Sequence, residues 1–296
     1  MNDKSLISTI QEIVDKSEAL TIVDVIAYLE PFLVKGSVSP VVDSLGKPLI
    51  PRLTNDARLL PTVQLGDVMA FIEVCQSLRR ASSLLLSGVE GKLKQCLVSV
   101  FRQYTGSDSW HNNSVNFVRN SENYFKRFHE LVTSKAGFFG NAWEFSSAEV
   151  IWMLSFSDIS RAFYWFGSPL LKAKIIISRQ FCVNSPDVLS QGLRALSNLR
   201  NLDAHILPAH RESVDKSFSA KMGTVMLYPW ISTKCNLGKY YGKLSFLVYI
   251  TTNFSNIEFK SARNKIKSLL QQMPRMTVNY LGIPSGWLDE PLWANI

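Results

Sequence analysis

Asn201 and His205 stand four residues apart near the end of a segment with apolar periodicity, and Arg200 immediately precedes them. In a helix, positions four apart share a face, and a long arginine side chain beside them reaches the same ligand. Guanidinium, amide and imidazole would then converge at the helix's C-terminal end. The planar fork of arginine matches phosphate, and imidazole titrates near neutral pH and moves protons. Cleavage of RNA by attack of its own 2′-hydroxyl needs those two services and no metal. The Arg–His spacing alone recurs by chance in a chain of this size, so the surrounding sequence must decide its meaning.

Other chemistries find little support. Cys75, Cys96, Cys182 and Cys235 are scattered singly with no C-x-x-C pair, which argues against a zinc knuckle or a disulfide framework and for small core residues. His111, His129, His205 and His210 make no H-E-x-x-H arrangement, and no Walker-type or dinucleotide-type glycine loop occurs. No metal and no cofactor is expected. His111 and His129 fall in or near polar stretches and are expected to face solvent. The tryptophans are expected to anchor the core, with Trp110 in its polar loop the best candidate for a base-stacking platform.

The elements that must position Arg200 follow from hydrophobic period and caps. Ser185 as N-cap, Pro186 at the first helical position and the stripe Val188, Leu189, Leu193, Leu196, Leu199 predict a helix carrying the motif, closed by Pro208. Upstream, residues 3–33 look helical, and seven glycines and prolines from Pro31 to Pro61 predict an irregular arm with short strands. From Asp67 the apolar residues recur at three and four through Phe101, predicting one long helix or two joined near Ser87-Gly88. A short helix is expected around Glu122 to Val132 between two polar loops. Another runs from Ser146 through Trp165, opened by a Ser146–Glu149 capping box. Lys243 to Phe254 and Glu258 to Met273 complete the set. In the last, Phe259, Ala262, Ile266, Leu269 and Leu270 form one stripe, while Lys260, Arg263 and Lys267 are expected to form an opposed cationic face.

The chain has 296 residues, 46% hydrophobic and 19% charged, an ordinary globular composition. Its net charge of +8 is unevenly placed. Between Arg194 and Arg275 thirteen Lys and Arg face four Asp and Glu, whereas residues 1–193 hold nineteen against eighteen. A concentrated basic surface favours phosphate-rich partners, the alternative being an evenly solvated basic face. The most apolar stretch, Ala148 to Phe166, contains Glu149, Asp158 and Arg161 and falls short of a membrane span of roughly 20 residues. Met1 to Ile13 lacks the basic start and apolar run of a secretory signal, so a cytoplasmic protein with no membrane partner is expected.

Several short blocks, in order, resemble the Abi-like family of abortive-infection proteins, the AbiD and AbiF type, within the HEPN superfamily. Leu78-Arg79-Arg80 looks like its L-R segment. Trp143, Ala148-Glu149-Val150 and Leu154-Ser155-Phe156-Ser157 resemble its W…E…LSFG block. Leu196 through His205 is similar to its L..LRN.CAH signature, and Leu281-Gly282-Ile283-Pro284, Trp287 and Pro291-Leu292-Trp293 to its closing MGFP..W…P.W. Asp203 stands where the family has cysteine, and Ile206 where it has a second histidine. The resemblance implies that Arg200 and His205 are a catalytic pair with Asn201 as polar companion. It also implies metal independence, dimerisation that pairs two motifs, a place among toxins held by antitoxins, and association with small noncoding RNA.

Residues and resemblance together lead to an all-α, HEPN-type helical bundle over residues 66–296, preceded by an N-terminal helical and irregular arm over residues 1–65. The expected function is RNA binding in phage defence, with metal-independent endoribonuclease activity held by a structured small noncoding RNA, in a homodimer. Arg194, Lys260, Arg263 and Lys267 are the expected RNA-binding cations. The alternatives are a ribonucleoprotein component that uses the same Arg/His motif to grip RNA without turnover, and a DNA-binding regulator.

Overall fold

The computed structural model describes residues 6–16, 20–35, 37–39, 52–54, 57–118, 122–137, 142–204 and 239–296. The fold is all-α. Its spine is α3, Leu65–Thr105, one uninterrupted helix of 41 residues, about 60 Å long at 1.5 Å per residue. At its start Asp67 Oδ2 accepts from the Gln64 N–H at 2.9 Å, and left-handed Gly106 closes it with its N–H on the Arg102 carbonyl at 2.9 Å. The joint thought possible at Ser87-Gly88 is therefore not a break. Gly88 serves packing instead: a Cβ there would lie 2.6 Å from the Phe259 ring, so only glycine lets α10, Ile257–Gln271, lie this close against the spine.

The N-terminal arm divides into α1, Leu6–Lys16, and α2, Ile22–Leu29, followed by a turn of 3₁₀ helix, Glu30–Phe32. A two-residue antiparallel pairing, Val38–Ser39 with Arg52–Leu53, is the strand content among the described residues. The arm shares its core with the body. Tyr28 and Phe32 meet Phe71 edge to face at 6.3 and 5.4 Å, and the Tyr28 hydroxyl accepts from Arg79 Nη2 at 2.7 Å. Arg79, one of the basic residues of the Leu78-Arg79-Arg80 block, is thereby occupied in holding the arm.

At the other end of α3 lie α4, Glu122–Ala136, α5, Ser147–Met153, and α6, Phe156–Trp165. The expected single helix from Ser146 to Trp165 is two. Leu154 and Ser155 take extended backbone, and Ser155 forms a second capping box with Asp158 after the Ser146–Glu149 one. A periodic apolar pattern runs through such a break, whereas the caps mark it. The chain continues through α7, Leu171–Gln180, to α8, Pro186–Ala204, whose residues Val188, Leu189, Leu193, Leu196 and Leu199 are all buried as their spacing predicted. Finally α9, Tyr240–Ile250, is buried at every position, packed against α3 and α8, and α11, Arg275–Leu281, and α12, Pro291–Ala294, close the fold. Trp287 and Trp293 of the closing block pack on Tyr241 of α9, and the Tyr241 hydroxyl donates to buried Glu290 at 2.8 Å.

Candidate functional site

The leucine stripe of α8 fixes where Arg200 points. Leu196 and Leu199 are buried, so the next position turns outward, and Arg200 leaves α8 with its side chain 44% exposed. Its Nη2 meets Glu90 Oε2 of α3 at 3.2 Å. Glu90 also accepts from Lys94, one turn further along α3, at 2.9 Å, in the Glu-before-Lys order that suits i,i+4 pairs. Glu90 and Lys94 side chains are only 15% and 9% exposed. Lys94 Nζ in turn sits 5.4 Å from the ring centroid of Trp152 on α5.

The cap of α5 accounts for Trp152. Ser146 Oγ accepts from the Glu149 N–H at 3.3 Å, and Glu149 Oε2 accepts from the Ser146 hydroxyl at 2.7 Å and the Ser146 N–H at 2.8 Å, two bonds that hold the Glu149 carboxyl below its usual range. That start buries Val150 and Ile151 against α3 and leaves Trp152 on the outer side, 58% exposed. Three elements thus bring together a carboxylate, two cations and an open indole, with a net charge of one positive. A phosphate reaching Arg200 meets a second cation behind it and must share the guanidinium with Glu90, or displace it.

The expected site residues distribute unevenly. The backbone of Asn201 continues α8, but its side chain lies outside the described residues, as do His205 and His210. Arg194 is exposed on α8. The cationic face expected on α10 is corrected by the packing. Lys260 is exposed, but Arg263 is buried and donates through Nη1 to the Thr251 carbonyl at 2.6 Å, with burial holding its pKa below the ordinary value. Lys267 is half-buried and donates to the main-chain oxygen of Ile296 at 2.9 Å. Spacing at three and four placed these cations on one side, but the wrap of the segment around Thr251 and of the Ile296 end covers two of them.

The solvent-facing histidines and the Trp110 platform are also corrected. His111 is fully buried, its Nδ1 at 2.8 Å from Ser147 Oγ. His129 is buried too, its Nε2 donating to the His111 carbonyl at 3.2 Å, and burial lowers its pKa. Trp110 is in the core, edge-on to Phe101 and Phe166 at 4.9 and 5.3 Å. Cys75 and Cys96 are buried as expected, Cys182 is only half-buried, and Cys235 lies outside the described residues. Sequence reasoning missed Glu90, Lys94 and Trp152. Their signals were an i,i+4 Glu–Lys pair within a helical pattern and a tryptophan following two buried aliphatics.

Comparison with family models, with curated proteins and with solved structures returns no match. No helix among the described residues is long and apolar enough to cross a membrane.

Proposed function

We propose that the protein is an RNA-binding protein of phage defence, a metal-independent endoribonuclease toxin of HEPN type held by a structured small noncoding RNA. The position of Arg200 carries this reading. It emerges half-exposed at the end of a buried leucine stripe, open to a phosphate, and its partner Glu90 also holds Lys94, which lies against the Trp152 ring. In the other blocks of the resemblance Glu149 and Ser155 cap helices, Arg79 holds the arm, and Trp287 and Trp293 pack in the core, which directs attention to Arg200 through His205. In this reading Arg200 binds the scissile phosphate, Asn201 assists and His205 moves a proton. A homodimer would supply a second histidine across a two-fold axis, giving one group to take a proton and one to give it. The protein would act in the cytoplasm.

A second reading, an RNA-gripping protein without turnover, draws on the Arg200–Glu90 pair, since a carboxylate on the guanidinium opposes the charge that a transition state needs. One experiment separates them. Purified protein incubated with RNA in EDTA is expected to cut it. Arg200→Ala and His205→Ala are expected to abolish cutting while still melting cooperatively, within a few degrees of the wild type. Intact RNA with bound wild-type protein supports the second reading, and cutting by Arg200→Ala at the wild-type rate rejects the first.

A further inference from the structure

A singly exposed tryptophan on a protein surface is ordinary. Trp152 differs because of what lies against it: a buried lysine, Lys94, whose other partner is the carboxylate that holds Arg200. The chain of contacts Trp152–Lys94–Glu90–Arg200 joins an open π-face to the half-exposed guanidinium through two charges that are nearly buried and therefore fixed in place. Lys94 cannot swing away to solvent without leaving Glu90, so the cation against the indole and the carboxylate against the arginine both keep their places.

From this arrangement we infer that Trp152 is the stacking platform for an unpaired nucleotide whose phosphate lies on Arg200, so that the site takes single-stranded rather than duplex RNA. This rests on the RNA-binding reading above and narrows its substrate class. The chemistry sets the choice. A base in a duplex has both faces covered by its neighbours, whereas a base in a loop or a single strand can lay one face on an indole. The more than half-exposed ring offers that face, and Lys94 adds a cation that strengthens the local attraction for the nucleotide's phosphate without reading the base. Recognition here is tolerant of sequence, since every base has a π-face.

The test uses full-length protein and a fluorescein-labelled 2′-O-methyl oligonucleotide, which cannot be cut because its 2′-oxygen is blocked. Anisotropy titrations at several salt concentrations are run with the strand alone and with the strand paired to its complement. Trp152→Ala is expected to weaken single-strand binding by about 5- to 150-fold, with the salt slope unchanged and duplex binding unaltered. Trp152→Phe is expected to restore most of the affinity, whereas Trp152→Met, which keeps bulk without a ring, does not. Arg200→Gln is expected to reduce the slope of log K against log salt by about 0.7, the share of one single-strand phosphate contact. Unchanged single-strand affinity in Trp152→Ala, equal losses for strand and duplex, or equal binding by the Phe and Met variants overturns the stacking role while the RNA reading stands. Wild-type protein that binds neither probe overturns both.

Discussion

Glu90 holds two cations of unequal exposure, and the inequality decides what each contact is worth. Arg200 is 44% exposed, so its ion pair is screened by water and contributes about 0 to 1 kcal/mol. Lys94, at 9%, has exchanged water for Glu90 and the Trp152 ring, and removing its carboxylate leaves a nearly buried charge without compensation. Glu90→Ala is therefore expected to lower stability by about 2 to 4 kcal/mol in urea unfolding, and Arg200→Ala by no more than about 1 kcal/mol. A loss in Glu90→Ala as small as that in Arg200→Ala would mean that Lys94 finds another partner. This difference also makes Arg200 the better residue for functional tests, since its removal does not threaten the fold. The outward position of the arginine was legible in the sequence because it directly follows the leucine stripe. Its acidic partner was not, because Glu90 lies 110 positions away along the chain, on another helix.

Among the elements, α3 owes its continuity to caps and period and its close packing to Gly88. Gly91, less than a turn away, has no atom within 4 Å of where a Cβ would stand. The two glycines thus make an internal comparison. Gly91→Ala is expected to stabilise by about 0.5 to 1 kcal/mol, since alanine restricts the unfolded chain and favours helix. Gly88→Ala is expected to destabilise by about 1 to 3 kcal/mol, because the Phe259 ring must move off a packed position. Thermal unfolding of the two variants checks the opposed signs, and a gain in both would mean that α10 can shift along the spine without cost. The break between α5 and α6 teaches a related lesson. Ser155 and Asp158 carry the same cap spacing as Ser146 and Glu149, so the local signal was present, but the apolar run from Val150 to Phe163 obscured it.

For the whole molecule, buried titratable groups give stability a definite response to pH. Burial pushes the Lys174 ammonium down from 10.5 to about 8, with Asp187 opposing, while it donates to the Phe166 carbonyl at 3.0 Å. Below about 8 the group is charged in folded and unfolded chains alike, and its burial is a standing cost. Between about 8 and 10.5 the unfolded chain binds more protons, so this group makes stability rise with pH. Cys75 acts oppositely, since burial pushes its thiol up from 9.0 to about 12 and the stability it contributes is lost as pH climbs from 9.0. From roughly pH 8 to 9 the lysine acts alone of the two. Lys174→Met is expected to remove a gain of at most about 1.4 kcal/mol per pH unit in that window. Melts of both proteins near pH 7.5 and 9 check it, and equal pH slopes would exclude Lys174 as the source.

Taken by itself, the sequence determined the all-α class, the buried stripe of α8, the caps at Ser146 and Ser185, and the outward turn of Arg200. All of these are local, set by period, propensity and hydrogen bonds between residues a few positions apart. Tertiary structure decided which polar residues are free to act. His111, His129 and Trp110 read as surface because their neighbours are polar, yet long-range packing of α4, α5 and α6 encloses them. Arg263 reads as a surface cation by its spacing, yet the Thr251 carbonyl takes it into the interior. Trp152 reads as core by its type, yet it stands open beside Lys94. Burial depends on what other segments fold over a position, and that is a property of the assembled molecule which no window of neighbouring residues contains.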